Sequence, residues 1–409
     1  MPKVLLYSRQ RLTKRPLQHW LDDTAGSVVL LTTHKAVVGA EDVLATHFPE
    51  HSLVDEYYAW STERTAEETA RAHGVDLVAS TSEDDVLRAA RLRERLGVPG
   101  QGTASATAYR DKAVMKRLLR EAGLPVPSFA VIDSPMDLLD FLDAENGPVV
   151  VKPRLGAGAE GVNILRAPSD LDAFLARQRT SEVPFLPGQW MAEGFVHGDF
   201  FHVDGIMRDG HVIHCWPSQY NSGVAEHLHG QTQLSSVLLA ADDNRTAVLR
   251  TLAQDVVAAL PAAPTLAFHL EAWLGPDGNP VICEIASRAG GGLVAETYER
   301  AFGVHLAKEG LRAQCGSPLT LTHQPAAPEP PTGWILFPPG HGRFAPPPGP
   351  CPVPGTDFTL HLEAGTECTG LEYATQSAAG ALVTADSPQE VRKRLTSLTE
   401  WWHLHTDWL

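Results

Sequence analysis

The chain has 409 residues, 43% hydrophobic and 20% charged, with a formal net charge of −16, which is length for roughly two to four domains with cores of their own. The negative balance argues against a sequence-independent grip on nucleic acid, which needs lysine and arginine to neutralise phosphates, and no apolar run approaches the roughly 18 residues of a membrane span. The opening holds only the run Val4 to Tyr7, too short for a secretory signal, and the five cysteines (Cys215, Cys283, Cys315, Cys351, Cys368) form no CxxC pair, so a cytoplasmic protein with a small ligand is expected, partnered by neither nucleic acid nor membrane.

Residues 1 to about 105 alternate β-rich runs (4–7, 28–32, 76–80) with helical patterns such as 83–96, ending at Gly97-Val98-Pro99-Gly100. This predicts an α/β unit with a mainly parallel sheet. A helix over 110–121 puts Val114, Met115, Leu118, Leu119 and Ala122 on one face, with Gly123 as its cap and Pro125 beyond. Residues 124 to about 190 read as a small lobe: a strand (148–152), a glycine-rich turn, a second strand (162–166) and a helix opening at Ser169-Asp170. From about 190 to 320 the chain is strand-rich, with turns at Arg208-Asp209-Gly210 and Gly275-Pro276-Asp277-Gly278, predicting a mostly antiparallel sheet. Proline-dense stretches at 325–331 and 346–354 bracket Trp334-Ile335-Leu336-Phe337. A strand over 380–384 follows, then Ser387-Pro388-Gln389-Glu390, a capping box that opens a helix towards Trp401. The fold class is α/β, with α+β character in parts, and the expected units are 1–105, 106–190, 191–324 and 325–409.

Gly156-Ala157-Gly158-Ala159-Glu160-Gly161 satisfies GxGxxG, but a dinucleotide-binding turn needs a helix after it. Val162-Asn163-Ile164-Leu165 alternates like a strand instead, so the loop is expected to join two strands of a hairpin, its amides free to cover phosphates. The plain alternative is a turn with no ligand. Lys152 ends the run Pro148-Val149-Val150-Val151, where a buried charge needs a partner or a site. Lys112 stands in the first turn of a helix, where the dipole disfavours cations unless something anionic offsets it. For each lysine the alternative is a surface side chain.

A hairpin symmetric about the turn at 275–280 sets Glu271 opposite Glu284. Like charges across a strand pair repel unless a cation lies between them, and magnesium takes one or two carboxylates together with nucleotide phosphates. By the two-residue period His269, Ala286 and Arg288 share that face, and Gly290-Gly291-Gly292 follows with open backbone donors. The alternative is an ordinary solvated hairpin. His227 and His229 lack a nearby third ligand, so solvent-facing or substrate-contacting side chains are a better reading for them than a metal pair.

In this order the residues resemble the ATP-grasp superfamily over roughly 75 to 320. The resemblance rests on Arg110-Asp111-Lys112 with Met115-Lys116, on Val151-Lys152-Pro153 with the glycine loop, on Met191-Ala192-Glu193-Gly194-Phe195-Val196-His197-Gly198, and on Glu271, Glu284 and Arg288. Within the superfamily the chain is most similar to carboxylate–amine ligases of the L-amino-acid ligase and carnosine-synthase type. The resemblance implies ATP and magnesium as cofactors, with manganese as a substitute, and an amide formed from a carboxylate and an amine through an acyl phosphate. It implies that Lys112, Lys152, Gly156, Gly158 and Gly161 hold phosphates and that backbone near Glu193, Phe195 and Val196 holds adenine. Glu271 and Glu284 are the implied metal ligands, and Lys152, Glu284 and Arg288 the implied catalytic residues. Arg288, Gly291, Gly292, Tyr220 and His229 are the implied substrate contacts. Three positions depart from the pattern. Phe200 stands where an acid often binds ribose, leaving Asp199, His202 or nothing for that role; Ala286 replaces a frequent metal-binding asparagine; Ala159 replaces a frequent serine. A homodimer is expected by analogy only. The alternatives are bicarbonate-dependent carboxylation, as in biotin-carboxylase relatives, and an ATP-binding sensor or scaffold without turnover.

Overall fold

The computed structural model describes residues 2–22, 27–178, 186–221, 232–371 and 373–409. The first unit is a parallel sheet of β1 (Val4–Tyr7), β2 (Val28–Thr33), β3 (His51–Val54) and β4 (Leu77–Ser80), ordered β3-β2-β1-β4. Alternate residues of β1 feed two separate cores, Val4 and Leu6 on one face, Leu5 and Tyr7 on the other. Helices cover both faces of a parallel sheet, so its strands read as continuous apolar runs. The weakly apolar β3 carries no such run.

The helix expected over 110–121 is present as Lys112–Glu121, and a separate helix, Thr103–Arg110, precedes it. Thr103–Arg110 stops at Asp111, whose carboxylate caps the next helix, Lys112–Glu121, by accepting from the Ala113 and Val114 amides. The buried stripe of that second helix is Lys112, Ala113, Met115, Lys116 and Leu119, so two lysines lie among the apolar positions. Gly123 follows in the left-handed conformation, with φ +77.

Strands β5 (Phe129–Ile132), β6 (Val149–Pro153), β7 (Asn163–Leu165) and β8 (Trp190–Gly194) form an antiparallel sheet ordered β5-β8-β6-β7. Strand β8 therefore belongs with the small lobe. Its core gathers Ile132, Leu138, Val149, Val151, Phe174 and Trp190, and the helix Pro135–Ala144 opens on a complete Ser134/Asp137 capping box.

The large sheet is antiparallel throughout, ordered β13-β12-β9-β10-β11-β14-β18-β16. Its members are β9 (Asp199–Arg208), β10 (His211–Tyr220), β11 (Leu234–Leu238), β12 (Leu266–Leu274), β13 (Pro280–Ala286), β14 (Thr332–Phe337), β16 (Thr356–Leu360) and β18 (Ala379–Thr384). The C-terminal strands thus extend the sheet. The helix Asn244–Ala259 closes one core against β9 and β12, and the helix Pro388–His405, capped by Ser387, closes another against β14 and β18. Strands β15 (His341–Ala345), β17 (Glu367–Thr369) and β19 (Asp407–Trp408) make a small third antiparallel sheet. Among the described residues no helix is long and apolar enough to cross a membrane.

Candidate active site

A cleft of about 710 Å³ lies between the small sheet and the large one, within the size range of small-molecule sites. The glycine loop forms one wall. It joins β6 to antiparallel β7, so it is a hairpin loop, not the entry to a helix. Gly158, Ala159 and Gly161 all have positive φ, and a Cβ on Gly161 would stand 2.8 Å from Pro153 Cγ, so the bend there tolerates only glycine. The Gly156 carbonyl accepts from Lys112 Nζ at 2.6 Å and Arg110 Nη1 at 3.2 Å.

Behind the loop lies a buried charge cluster. Glu193 stands 2.5 Å from Lys152 Nζ and 3.1 Å from Lys116 Nζ, all three side chains being buried. Lys116 also donates to the carbonyls of Ile282 and Cys283, at 3.3 and 2.8 Å. Burial opposes the Glu193 charge, but the two lysines overcome it and hold its pKa below the usual carboxylate range. Burial likewise opposes the Lys152 charge, and Glu193 outweighs it, raising that pKa; for Lys116 burial wins and the pKa falls.

Across the cleft Glu271 pairs with Glu284 in register. The register then shifts, Ala272 pairing with Ile282, so Cys283 is the extra residue of a bulge and also faces the cleft. Glu284 Oε2 is 3.2 Å from Lys112 Nζ. Burial would raise its pKa, yet Lys112 and Lys152 lower it to about 2. Glu271 Oε1 accepts from the Tyr220 hydroxyl at 3.2 Å and lies 3.4 Å from His269 Nε2.

His269 Nδ1 is 2.7 Å from Asp204 Oδ1, while the other Asp204 oxygen meets His202 Nδ1. Burial disfavours the imidazolium of His269, but Asp204 and Glu271 outweigh it and raise its pKa to about 10. Gly290 packs against this pair so closely that a Cβ would fall 2.7 Å from His269 Nδ1 and 2.9 Å from Asp204 Oδ1. His202 Nε2 bonds Ser236 Oγ at 2.7 Å. Both ring nitrogens of His202 are therefore committed inside the sheet, and the residue does not line the cleft, which removes it as a ribose contact. Asp199 does line the cleft and is exposed, 3.9 Å from Arg245.

Arg288 reaches the cleft with its guanidinium fixed by Glu83, Nε donating to Oε2 at 2.8 Å, and by the Ala289 carbonyl at 2.8 Å. Tyr220 and Gly291 line the same cleft; Gly292 turns beneath it against Trp334. Phe195 and Val196 line its far end, but the Phe195 amide already donates to the Pro148 carbonyl, so its own carbonyl and the Val196 backbone remain for a ligand. His227 and His229 lie outside the described residues.

Lys116 and Glu83 were not foreseen as site residues. Lys116 had a signal, since it follows Lys112 by one turn on the same helical stripe. Glu83 had a weaker one, as an acid just past the carboxyl end of a parallel strand. Asp204 had none.

No family model matches the chain. Among curated proteins it is 28% identical over 255 residues to an L-arginine-specific L-amino acid ligase of Bacillus subtilis, covering 61% of this chain and 60% of that protein. It is 28% identical over 210 residues to a D-alanine–D-alanine ligase of Gloeobacter violaceus, covering 49% and 66%. The matched stretch thus spans 60% and 66% of those relatives' lengths. Among solved structures it is similar to an L-amino acid ligase from Bacillus licheniformis, with TM-score 0.73, 18% identity and coverage of 100% and 99%. It is also similar to a carboxyaminoimidazole ribonucleotide synthase from Aspergillus clavatus complexed with ATP, with TM-score 0.74, 14% identity and coverage of 99% for both chains. At those identities the structural likeness concerns the fold. The chain thus shares the fold of these ligases and synthases, and over the matched stretch it is similar in sequence to amino-acid ligases.

Proposed function

We propose that this protein is an ATP-dependent carboxylate–amine ligase that joins amino-acid substrates through an acyl phosphate and releases ADP and phosphate. The observation that carries the reading is the convergence on one cleft of two facing carboxylates, Glu271 and Glu284, with Lys112, Lys152 and Arg288. The relatives' names point the same way.

The carboxylate pair fits a divalent cation. Glu284 stays ionised across the physiological range, and both glutamates are oxygen donors on adjacent strands, the set magnesium prefers. Bound there, magnesium would neutralise charge on the nucleotide phosphates. The remaining work falls to the chain. Lys152, held charged by Glu193, and Lys112, once released from the Gly156 carbonyl, offer ammonium donors to phosphate oxygens. Arg288, fixed by Glu83, presents a planar fork to the substrate carboxylate. One carboxylate oxygen attacks the γ-phosphorus as the bond to the ADP oxygen breaks. The amine nitrogen then attacks the acyl carbon, the carbon–oxygen bond to phosphate breaks, and the nitrogen loses its proton to solvent. Such transfer needs positioning and charge neutralisation rather than a protein nucleophile. Closure of the glycine loop keeps water from the acyl phosphate. Use of ATP fits a cytoplasmic location.

The test is phosphate release across a panel of carboxylate and amine pairs, with mass spectrometry of the product. Release that requires both partners, with a product heavier than either by the other less one water, is expected. Release with bicarbonate and no amine would replace this reading with carboxylation, and ATP binding without ADP formation would replace it with a sensor.

A further inference from the structure

A second cavity, of about 430 Å³, opens on the other side of the glycine loop. Its floor belongs to the N-terminal parallel sheet. Arg9 follows β1, Tyr58 follows β3 and Asp84 follows β4, so all three stand beyond the carboxyl ends of strands. In the order β3-β2-β1-β4 the winding reverses at β1, and the crevice outside such a switch point is where open parallel sheets bind ligands. The roof is the glycine loop itself, through Leu155 and Glu160. Glu160 lines both cavities.

The charges of this cavity are unevenly matched. Asp84 is saturated: one oxygen accepts from Arg9 Nη2 at 3.1 Å and Tyr58 at 3.0 Å, the other from Arg110 Nη2 at 3.4 Å. Arg110 is buried and also meets Glu83 at 3.7 Å. Arg9 has a half-exposed side chain and spends one guanidinium nitrogen on Asp84. Its other nitrogens carry no hydrogen bond among the described residues, and its Cζ lies over the Tyr58 ring, 5.5 Å from the ring centre. An open guanidinium edge selects a planar carboxylate. Glu160 is exposed on the roof, and its carboxylate has no partner among the described residues, which suits an ammonium.

We infer that this cavity holds the amine substrate as a free α-amino acid, its carboxylate on Arg9 and its ammonium towards Glu160. The inference rests on the ligase reading above and adds where the amine is held and the route it takes. The ammonium end then lies at the border shared with the nucleotide cleft, where the acyl phosphate forms, and the carboxylate end lies away from it. The ion chain Arg110, Glu83, Arg288 ties this floor to the acyl-activating arginine, so both substrates are held by one charge network.

The experiment compares amino acids with their carboxamides as amine substrates, at a fixed acid partner, in wild type, Arg9→Ala and Arg9→Lys. The wild type is expected to prefer the free acid by tenfold or more in kcat/KM. Arg9→Ala should lower that preference at least tenfold, through KM, and Arg9→Lys should retain part of it. The preference is a ratio, so it does not depend on how much of a variant is folded. An unchanged preference in Arg9→Ala, or a wild type that takes amides as well as acids, overturns the assignment. Hydroxylamine trapping of the wild type separates the two levels. Hydroxamate together with an unchanged preference removes the cavity assignment alone. No hydroxamate from any carboxylate removes the ligase reading and the cavity with it.

Discussion

The Lys112 ammonium stands 3.2 Å from Glu284 Oε2 while donating to the Gly156 carbonyl at 2.6 Å, so one cation ties the glycine loop to one of the two facing carboxylates. A nucleotide entering the cleft has to take over one or both contacts. Lys112→Met should therefore raise the KM for ATP at least tenfold and lower turnover on the order of 100-fold, the usual cost of losing one preorganised donor. Phosphate release against ATP concentration measures both. A variant with wild-type KM would show that Lys112 only braces the loop.

Glu284→Gln should abolish turnover with the fold intact. The substitution keeps the shape of the side chain, removes one of two facing charges, and leaves the buried Lys112 bonded to Gly156. Its melting temperature should stay within about 4 °C of wild type, equivalent to roughly 1 kcal/mol. Thermal melts beside the phosphate assay decide it, and normal turnover would sink the metal assignment.

The hairpin that suggested this pair was legible because its turn is short and its strands alternate. The register held through Glu271 and Glu284 and failed one residue later, where the bulge at Cys283 obeys packing that no local pattern records. His202 shows the other limit. Its position suggested ribose, but the sheet places Asp204 and Ser236 against its two nitrogens, and those partners are set by strand pairing across the fold. Glu83 and Arg288 lie 205 positions apart. Lys116 was visible on its helix, but its partners Glu193 and the Cys283 carbonyl come from two other sheet strands. The elements and the order of site residues could be read from local patterns; the ion pairs that orient them depend on long-range topology.

Glu193 serves two lysines, so the cluster is asymmetric. Glu193→Gln leaves two buried ammonium groups without their carboxylate and should destabilise the protein by about 3–5 kcal/mol. Lys116→Met leaves Glu193 paired with Lys152 at 2.5 Å and should cost clearly less. Urea unfolding of the two variants side by side tests the order, and equal losses would show that Lys116 contributes as much as the carboxylate it shares.

His214 supplies a pH dependence away from the cleft. It is fully buried, with Nδ1 2.8 Å from the Tyr298 hydroxyl. Burial, with a smaller push from His323, lowers its pKa from 6.5 to about 4. Between those values the unfolded chain binds a proton that the folded chain refuses. Its contribution to stability is therefore fully present above pH 6.5 and is lost as pH falls towards 4, by an amount of roughly 3 kcal/mol over the whole window. His214→Gln removes the titrating group and can keep a hydrogen bond to Tyr298. The wild type should lose more melting temperature than this variant between pH 7 and pH 5. Parallel melting curves at the two pH values would mean that the acid sensitivity of this fold originates elsewhere.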